Sequence, residues 1–241
     1  LTAVQKNTKD NKCPVVGVTG TGGAGKSSLL DELLLRFAQD YNDINIALVC
    51  VDPSKKATGG ALLGDRIRMN TVSAENIYLR SFATRSTGGE LAKICKDAID
   101  FLKAEGKFDL IFLETSGIGQ SDSAVVDLSD VSLYVMTPEY GAQSQLEKID
   151  MLDLADIIVI NKFERRQGPD ALRDVEDTIR RGRFKGIKPK EEENPVFATI
   201  ASRFNDDGLN GSYEFLLRKL NWKIQNKIKR STARASKKRD S

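Results

Sequence analysis

Residues 20–27 read Gly-Thr-Gly-Gly-Ala-Gly-Lys-Ser, the spacing G-x-x-x-x-G-K-S, and these residue types in this order hold the phosphates of a nucleotide. Gly22, Gly23, Ala24 and Gly25 carry little or no side chain. Consecutive backbone N–H groups can therefore turn inward as an anion nest with nothing in the way. Lys26 can reach the β- and γ-phosphates, the Ser27 hydroxyl is the expected Mg²⁺ ligand, and Ser28 continues the phosphate-binding turn. The helix opening near Lys26 adds the positive end of its dipole. The apolar run over residues 14–19 predicts a strand before the loop. Leu29, Leu30, Leu33, Leu34 and Phe37 predict a helix after it. Strand, glycine loop and helix in that order make a P-loop for a nucleoside triphosphate.

Asp52 follows the apolar run over residues 44–51, and Glu114 follows another over residues 108–113. A carboxylate at the carboxyl end of a strand faces the crevice where doubly wound sheets bind ligands. Asp52, Asp65 and Glu114 are candidate carboxylates around Mg²⁺, which takes oxygen ligands and keeps several waters. Thr115 could add an oxygen or hold a metal-bound water. Residues 115–120 form a glycine-hinged loop expected near the γ-phosphate, where backbone N–H contacts would order it in the triphosphate state. Asn161-Lys162-Phe163-Glu164 resembles the N-K-x-D signature with which G proteins read guanine. There a carboxylate accepts hydrogen bonds from two base N–H groups that adenine cannot offer. Glu164 keeps the carboxylate and adds one methylene. Residues 198–201, after the last expected strand, stand where G proteins usually cap the base with backbone.

The elements that must position these residues alternate along the chain. Strands are expected over residues 14–19, 44–51, 77–82, 108–113, 131–136, 157–160 and 195–199. Helices are expected over residues 29–38, 90–104, 169–183 and 209–229. Nearly continuous apolar strands alternating with helices predict an α/β fold: a P-loop NTPase with a doubly wound, mostly parallel sheet covered on both faces. The expected organisation is a linker over residues 1–13, a nucleotide-binding domain over 14–220, and a helix end with a basic linker over 221–241. The chain starts with Leu1 rather than Met, which suits a piece of something longer.

Composition narrows the chemistry. The 241 residues contain no histidine, which excludes histidine triads, histidine–zinc sites and histidine acid–base catalysis. Cys13, Cys50 and Cys95 are scattered and odd in number, which fits a reducing, cytoplasmic setting rather than a disulfide framework. A formal net charge of +3 gives no argument for nucleic acid. Much of the positive charge sits in the tail, in Lys227, Lys229, Arg230, Arg234, Lys237, Lys238 and Arg239. No apolar run is long enough to span a bilayer, so no membrane partner is expected.

Residues 51–54 (Val-Asp-Pro-Ser), 58–69 (Thr-Gly-Gly-Ala-Leu-Leu-Gly-Asp-Arg-Ile-Arg-Met) and 114–121 (Glu-Thr-Ser-Gly-Ile-Gly-Gln-Ser) together carry a resemblance to one family. They are similar to the G-protein chaperones of adenosylcobalamin-dependent acyl-CoA mutases, which serve methylmalonyl-CoA mutase. Residues 143–152 and 161–166 resemble, within that family, the G domains fused into isobutyryl-CoA mutases. The resemblance runs over residues 15–217. It implies a dimer-forming Mg²⁺-dependent GTPase of the signal-recognition and MinD-like class, with mutase domains as partners in cis or in trans. Adenosylcobalamin would be bound by the mutase and not by this chain. By position, Gly22 to Ser27 would hold phosphate, and Ser27, Asp52, Asp65, Glu114 and Thr115 would surround Mg²⁺. Arg68 would lie near the nucleotide and Asn161 to Glu164 would read the base. Lys26 would carry catalysis together with Asp52 or Glu114, either of which could orient the attacking water. Residues 140–150 resemble the family's third switch, with Lys148 its most suggestive residue. Competing readings are an ATPase or small-molecule kinase on the same scaffold, and a nucleotide-gated interaction module in which hydrolysis matters little.

Overall fold

The computed structural model describes residues 13–41, 43–53, 69, 71, 75–84, 89–115, 122–141, 146 and 149–220. Strands β1 (Val15–Gly20), β2 (Ile46–Pro53), β3 (Ile77–Thr84), β4 (Leu110–Thr115), β5 (Val131–Met136), β6 (Ile157–Asn161) and β7 (Val196–Thr199) form one sheet. Its order is β3-β2-β4-β1-β5-β6-β7, and every pairing is parallel. The helices are α1 (Lys26–Asp40), α2 (Gly89–Glu105), α3 (Asp122–Leu128), α4 (Met151–Leu154), α5 (Gly168–Gly182) and α6 (Asp207–Lys219). The chain leaves β1 toward one edge, returns to β4, then winds out through β5, β6 and β7. The winding reverses around β1, and the crevice beyond its carboxyl end is where such sheets take ligands.

Strand alternation sorts the core into two layers. On one face, Val16 and Val18 of β1, Ile46, Leu48 and Cys50 of β2, and Leu110 and Phe112 of β4 meet the apolar side of α1. Leu209, Tyr213 and Leu216 of α6 pack into the same layer. The Phe37 ring stands edge-on to Tyr213 at 5.0 Å and to Phe112 at 6.0 Å between centroids, a favoured aromatic geometry. On the other face, Val15, Ala47, Val49, Ile111 and Leu113 pack against Cys95, Ile99 and Leu102 of α2. There too Tyr134, Met136, Ile158 and Ile160 pack against Val175 and Ile179 of α5. Both faces are covered, as the apolar strands imply.

The structure moves several boundaries. β4 runs on through Glu114 and Thr115, so these residues end a strand rather than open a loop. The last helix starts earlier than its apolar periodicity implies, because the Asp206 carboxylate accepts from the Leu209 N–H at 2.9 Å and caps it. Its expected extension beyond residue 220 lies outside the described residues. Helix α3 has no forerunner in the sequence pattern because it is only seven residues long. It packs so closely on β1 that a Cβ at Gly17 would meet Val125 at 2.4 Å. No helix among the described residues is long and apolar enough to cross a membrane.

Candidate functional site

The loop between β1 and α1 is held open by its neighbours. Gly20 adopts φ +145°, and a Cβ there would lie 1.9 Å from the Val135 carbonyl oxygen of β5. The Thr21 N–H donates to that same carbonyl at 3.0 Å. Gly25 adopts φ +83° as the residue before α1, and a Cβ there would meet the Asn161 amide nitrogen at 2.6 Å. Only glycine fits both the conformation and the contact. At Gly22 and Gly23, in contrast, an added Cβ would meet nothing within 4 Å, so that side of the loop is open to a ligand. No side chain caps the start of α1, which leaves its first-turn amides directed at the loop. Ser28 lies in that first turn, exposed. The Lys26 ammonium donates to the Gly20 carbonyl at 2.9 Å and to the Thr21 carbonyl at 3.1 Å. The cation is thereby stored inside the loop, within a side-chain rotation of any phosphate bound there.

Ser27 and Glu114 come together although they are 87 residues apart. The Ser27 hydroxyl donates to Glu114 Oε1 at 2.9 Å. Glu114 is 5% exposed, and its Oε2 accepts from the Cys50 thiol at 3.3 Å. Thr115 does not join this group. Alternation along β4 sends its side chain to the other face of the sheet, where its hydroxyl donates to Thr19 Oγ1 at 3.1 Å. That geometry puts the Thr115 hydroxyl, expected beside Mg²⁺, on the opposite face of the sheet from the Ser27–Glu114 pair. Asp52 is the seventh residue of β2 and pairs in register with Ala83. Its side chain, like Asp65, Arg68, Lys148 and residues 116–120, lies outside the described residues.

The stretch expected to read the base begins where β6 ends. Asn161, 2% exposed, donates to the Ala24 carbonyl at 2.8 Å. Its own carbonyl accepts from the Thr199 hydroxyl at 3.2 Å and from the Ala201 N–H at 3.0 Å. One amide thus ties the P-loop to the exits of β6 and β7. Lys162 takes the left-handed conformation at φ +58°, and its ammonium donates to the Gly23 carbonyl at 2.7 Å. Phe163 N–H donates to the Thr199 carbonyl at 3.1 Å, and Glu164 is exposed just beyond.

Gly22, Gly23, Thr137, Glu139, Tyr140, Lys162 and Arg165 line an open cleft of about 630 Å³ beside the loop. Across it Glu139, from the turn after β5, pairs with Arg165, from the turn after β6. The Glu139 carboxyl is pulled down from 4.5 to about 2, first by the Thr137 hydroxyl, then by its own backbone amide, with Arg165 adding to both. Sequence reasoning missed this pair, the contact of the Cys50 thiol and that of the Thr199 hydroxyl, although residues 198–201 were expected near the base. The usable signals were an acid and a cation placed just after neighbouring strands.

The family described as methylmalonyl Co-A mutase-associated GTPase MeaB matches residues 2–226. The chain is 53% identical over 218 residues to the fused isobutyryl-CoA mutase of Cupriavidus metallidurans, covering 90% of this chain and 20% of that protein. It is likewise 53% identical over 214 residues to the fused isobutyryl-CoA mutase of Geobacillus kaustophilus, covering 89% of this chain and 20% of that one. The chain therefore spans about a fifth of the length of these relatives. Among solved structures, HypB from Helicobacter pylori, crystallised with nickel, superposes with a TM-score of 0.60 at 15% identity, covering 90% of this chain and 93% of that one. That likeness shows the P-loop NTPase fold alone. A match across nearly the whole chain, on a P-loop fold, is decisive: the chain belongs to the MeaB family of methylmalonyl Co-A mutase-associated GTPases.

Proposed function

We propose that residues 14–220 form a Mg²⁺-dependent domain that binds and hydrolyses GTP. Its cycle gates cofactor loading and protection of an adenosylcobalamin-dependent acyl-CoA mutase, an isobutyryl-CoA mutase in the same polypeptide. The domain works as a dimer. The observation that carries the nucleotide reading is Asn161, whose amide links the Ala24 carbonyl to Thr199 and Ala201. Phosphate cradle and base-reading loop are thereby one unit, with Glu164 exposed to accept from guanine. The mutase assignment is supported by the similarity to two fused isobutyryl-CoA mutases.

In this reading the amides from Gly22 to Ser28 grip the phosphates. Lys26 leaves the Gly20 and Thr21 carbonyls to neutralise charge on the phosphoryl group in flight. Ser27 and Glu114 offer a hydroxyl and a carboxylate on one spot, a hard oxygen set that fits Mg²⁺, with Asp52 and Asp65 as further ligands. When bound, the ion spreads the negative charge of the phosphate oxygens. Asp52 or Glu114 orients the attacking water, Arg68 lies close to the nucleotide, and Asn161, Lys162 and Glu164 select guanine. Catalysis then comes from positioning and electrostatics, with no covalent intermediate.

Phosphate release from GTP and from ATP, with and without the mutase domains, tests the proposal. Turnover of GTP well above ATP, lost in Lys26→Ala and altered by the mutase domains, is the expected result. Equal or better use of ATP would replace it with the ATPase or kinase reading. Nucleotide-dependent mutase binding with full function in a hydrolysis-dead variant would replace it with an interaction module.

A further inference from the structure

Cys50 is a buried thiol that the proposed chemistry does not use, and it sits against Glu114, a carboxylate that the chemistry does use. We infer that Cys50 is a positioning residue for Glu114, holding one carboxylate oxygen while the other is exchanged between Ser27 and the bound ion. The inference rests on the reading of Glu114 as a ligand at a nucleotide–Mg²⁺ site.

Three observations carry it. First, Cys50 of β2 and Glu114 of β4 are direct partners in the register of adjacent parallel strands, so both side chains leave the same face of the sheet. Second, Glu114 has a donor on each oxygen: Ser27 Oγ on Oε1 at 2.9 Å and Cys50 Sγ on Oε2 at 3.3 Å. A carboxylate only 5% exposed needs such donors to stay oriented. Third, Cys50 is fully buried in the layer built by Leu48 and Phe112, so the thiol cannot follow the carboxylate if it swings. When the Ser27 hydroxyl turns to the ion, Oε1 turns with it. Oε2 stays tethered and the carboxylate pivots rather than drifts. A thiol suits this task because it is a weak donor: it aims the carboxylate without competing strongly with the ion for it.

The bland alternative is a cysteine serving as a small hydrophobe. The two readings order the same variants in opposite ways. If Cys50 only fills space, Cys50→Ala and Cys50→Val are tolerated and Cys50→Ser, which buries a hydroxyl, is the damaging one. If Cys50 aims Glu114, Cys50→Ser keeps function and the apolar variants lose it.

The test uses the 241-residue chain and its Cys50→Ser, Cys50→Ala and Cys50→Val variants, with melting curves to establish folding. Magnesium is titrated into the GDP complex, and GDP affinity is measured in chelator. Cys50→Ala and Cys50→Val are expected to raise the half-saturating magnesium concentration about three- to tenfold, the worth of one hydrogen bond. Cys50→Ser stays within about twofold of wild type, and GDP affinity in chelator is unchanged throughout. Independently of any metal, infrared spectra of the nucleotide-free chain report the S–H stretch, assigned by subtracting the Cys50→Ser spectrum. Burial pushes the Cys13 and Cys95 thiols up to about 12 and about 11, so both stay protonated and cancel in the difference. A Cys50 band lowered by hydrogen bonding, returning to the free-thiol position in Glu114→Ala, is expected. One magnesium curve for all four proteins, a Cys50→Ser as impaired as Cys50→Ala, or a free-thiol band in wild type would each overturn the inference. A wild-type chain whose GDP complex takes up no magnesium would instead overturn the nucleotide reading beneath it.

Discussion

Asn161 shows how much can rest on one side chain. It is buried, uses both ends of its amide and joins two segments far apart in sequence, Ala24 on one side and Thr199 with Ala201 on the other. Asn161→Ala would strand the Ala24 carbonyl and the Ala201 N–H, each costing ~1–3 kcal/mol when left unpaired in a buried place. It should therefore lower both melting temperature and GTP affinity, as calorimetry and nucleotide titration can show together. Glu164→Ala, an exposed change, should leave the melting temperature alone and cut the preference for GTP over ATP; an unchanged ratio would remove Glu164 from base reading. Gly25→Ala combines a φ of +83° with a 2.6 Å approach to the Asn161 amide, so it should weaken GDP binding even though alanine favours helices. Lys26, Ser27 and Asn161 were legible in the sequence because their spacing from glycines and strand ends is local. The contacts of the Cys50 thiol and of the Thr199 hydroxyl were not, because they are decided by strand register, which no short window of residues contains. Thr115 looked like a neighbour of Glu114 and is one along the chain. Strand alternation separates their side chains.

At the scale of elements, α1 and α6 are the braces of the site. Phe37 joins them to the sheet through Tyr213 and Phe112. Phe37→Ala should cost ~3–5 kcal/mol, measurable as a lower urea midpoint. The two turns after β5 and β6 are joined differently, by the exposed pair of Glu139 with Arg165. The Glu139 carboxyl lies below its ordinary value in the folded state, so its contribution is complete above pH 4.5 and is lost as pH falls toward about 2. The difference in melting temperature between wild type and Glu139→Gln should be largest at neutral pH and shrink across that acid range. It should be small throughout, because exposed ion pairs are worth little. Long apolar strands and the α1 and α2 helices were legible from their apolar pattern, and α5 from its charged stretch behind an early proline. Helix α3 was not, since seven residues are too few for a 3.6-residue repeat to register, and the start of α6 was hidden by an N-cap ahead of the apolar positions.

For the whole molecule, an all-parallel sheet gathers the carboxyl ends of its strands on one side, which is why residues from 20 to 201 meet around a single crevice. The alternation of strand and helix foretold the layers. The order β3-β2-β4-β1-β5-β6-β7 needed the structure, because sequence shows which strands exist but not which are neighbours. A ligand that binds only this assembled state stabilises it by mass action. GDP with magnesium at a hundred times its dissociation constant adds ~2.7 kcal/mol, so the melting temperature should rise by roughly 5–10 °C for a domain of this size. Chelation should take part of that gain away.

The bridge from Asn161 to the Ala24 carbonyl has one more consequence. A guanosine fragment settling at Glu164 would stiffen the very loop of backbone proposed to grasp phosphate. Pyrophosphate would in turn prepare the seat for the nucleoside. Two half-ligands that never touch the same residue would then recruit each other, and severing that one amide would make them strangers.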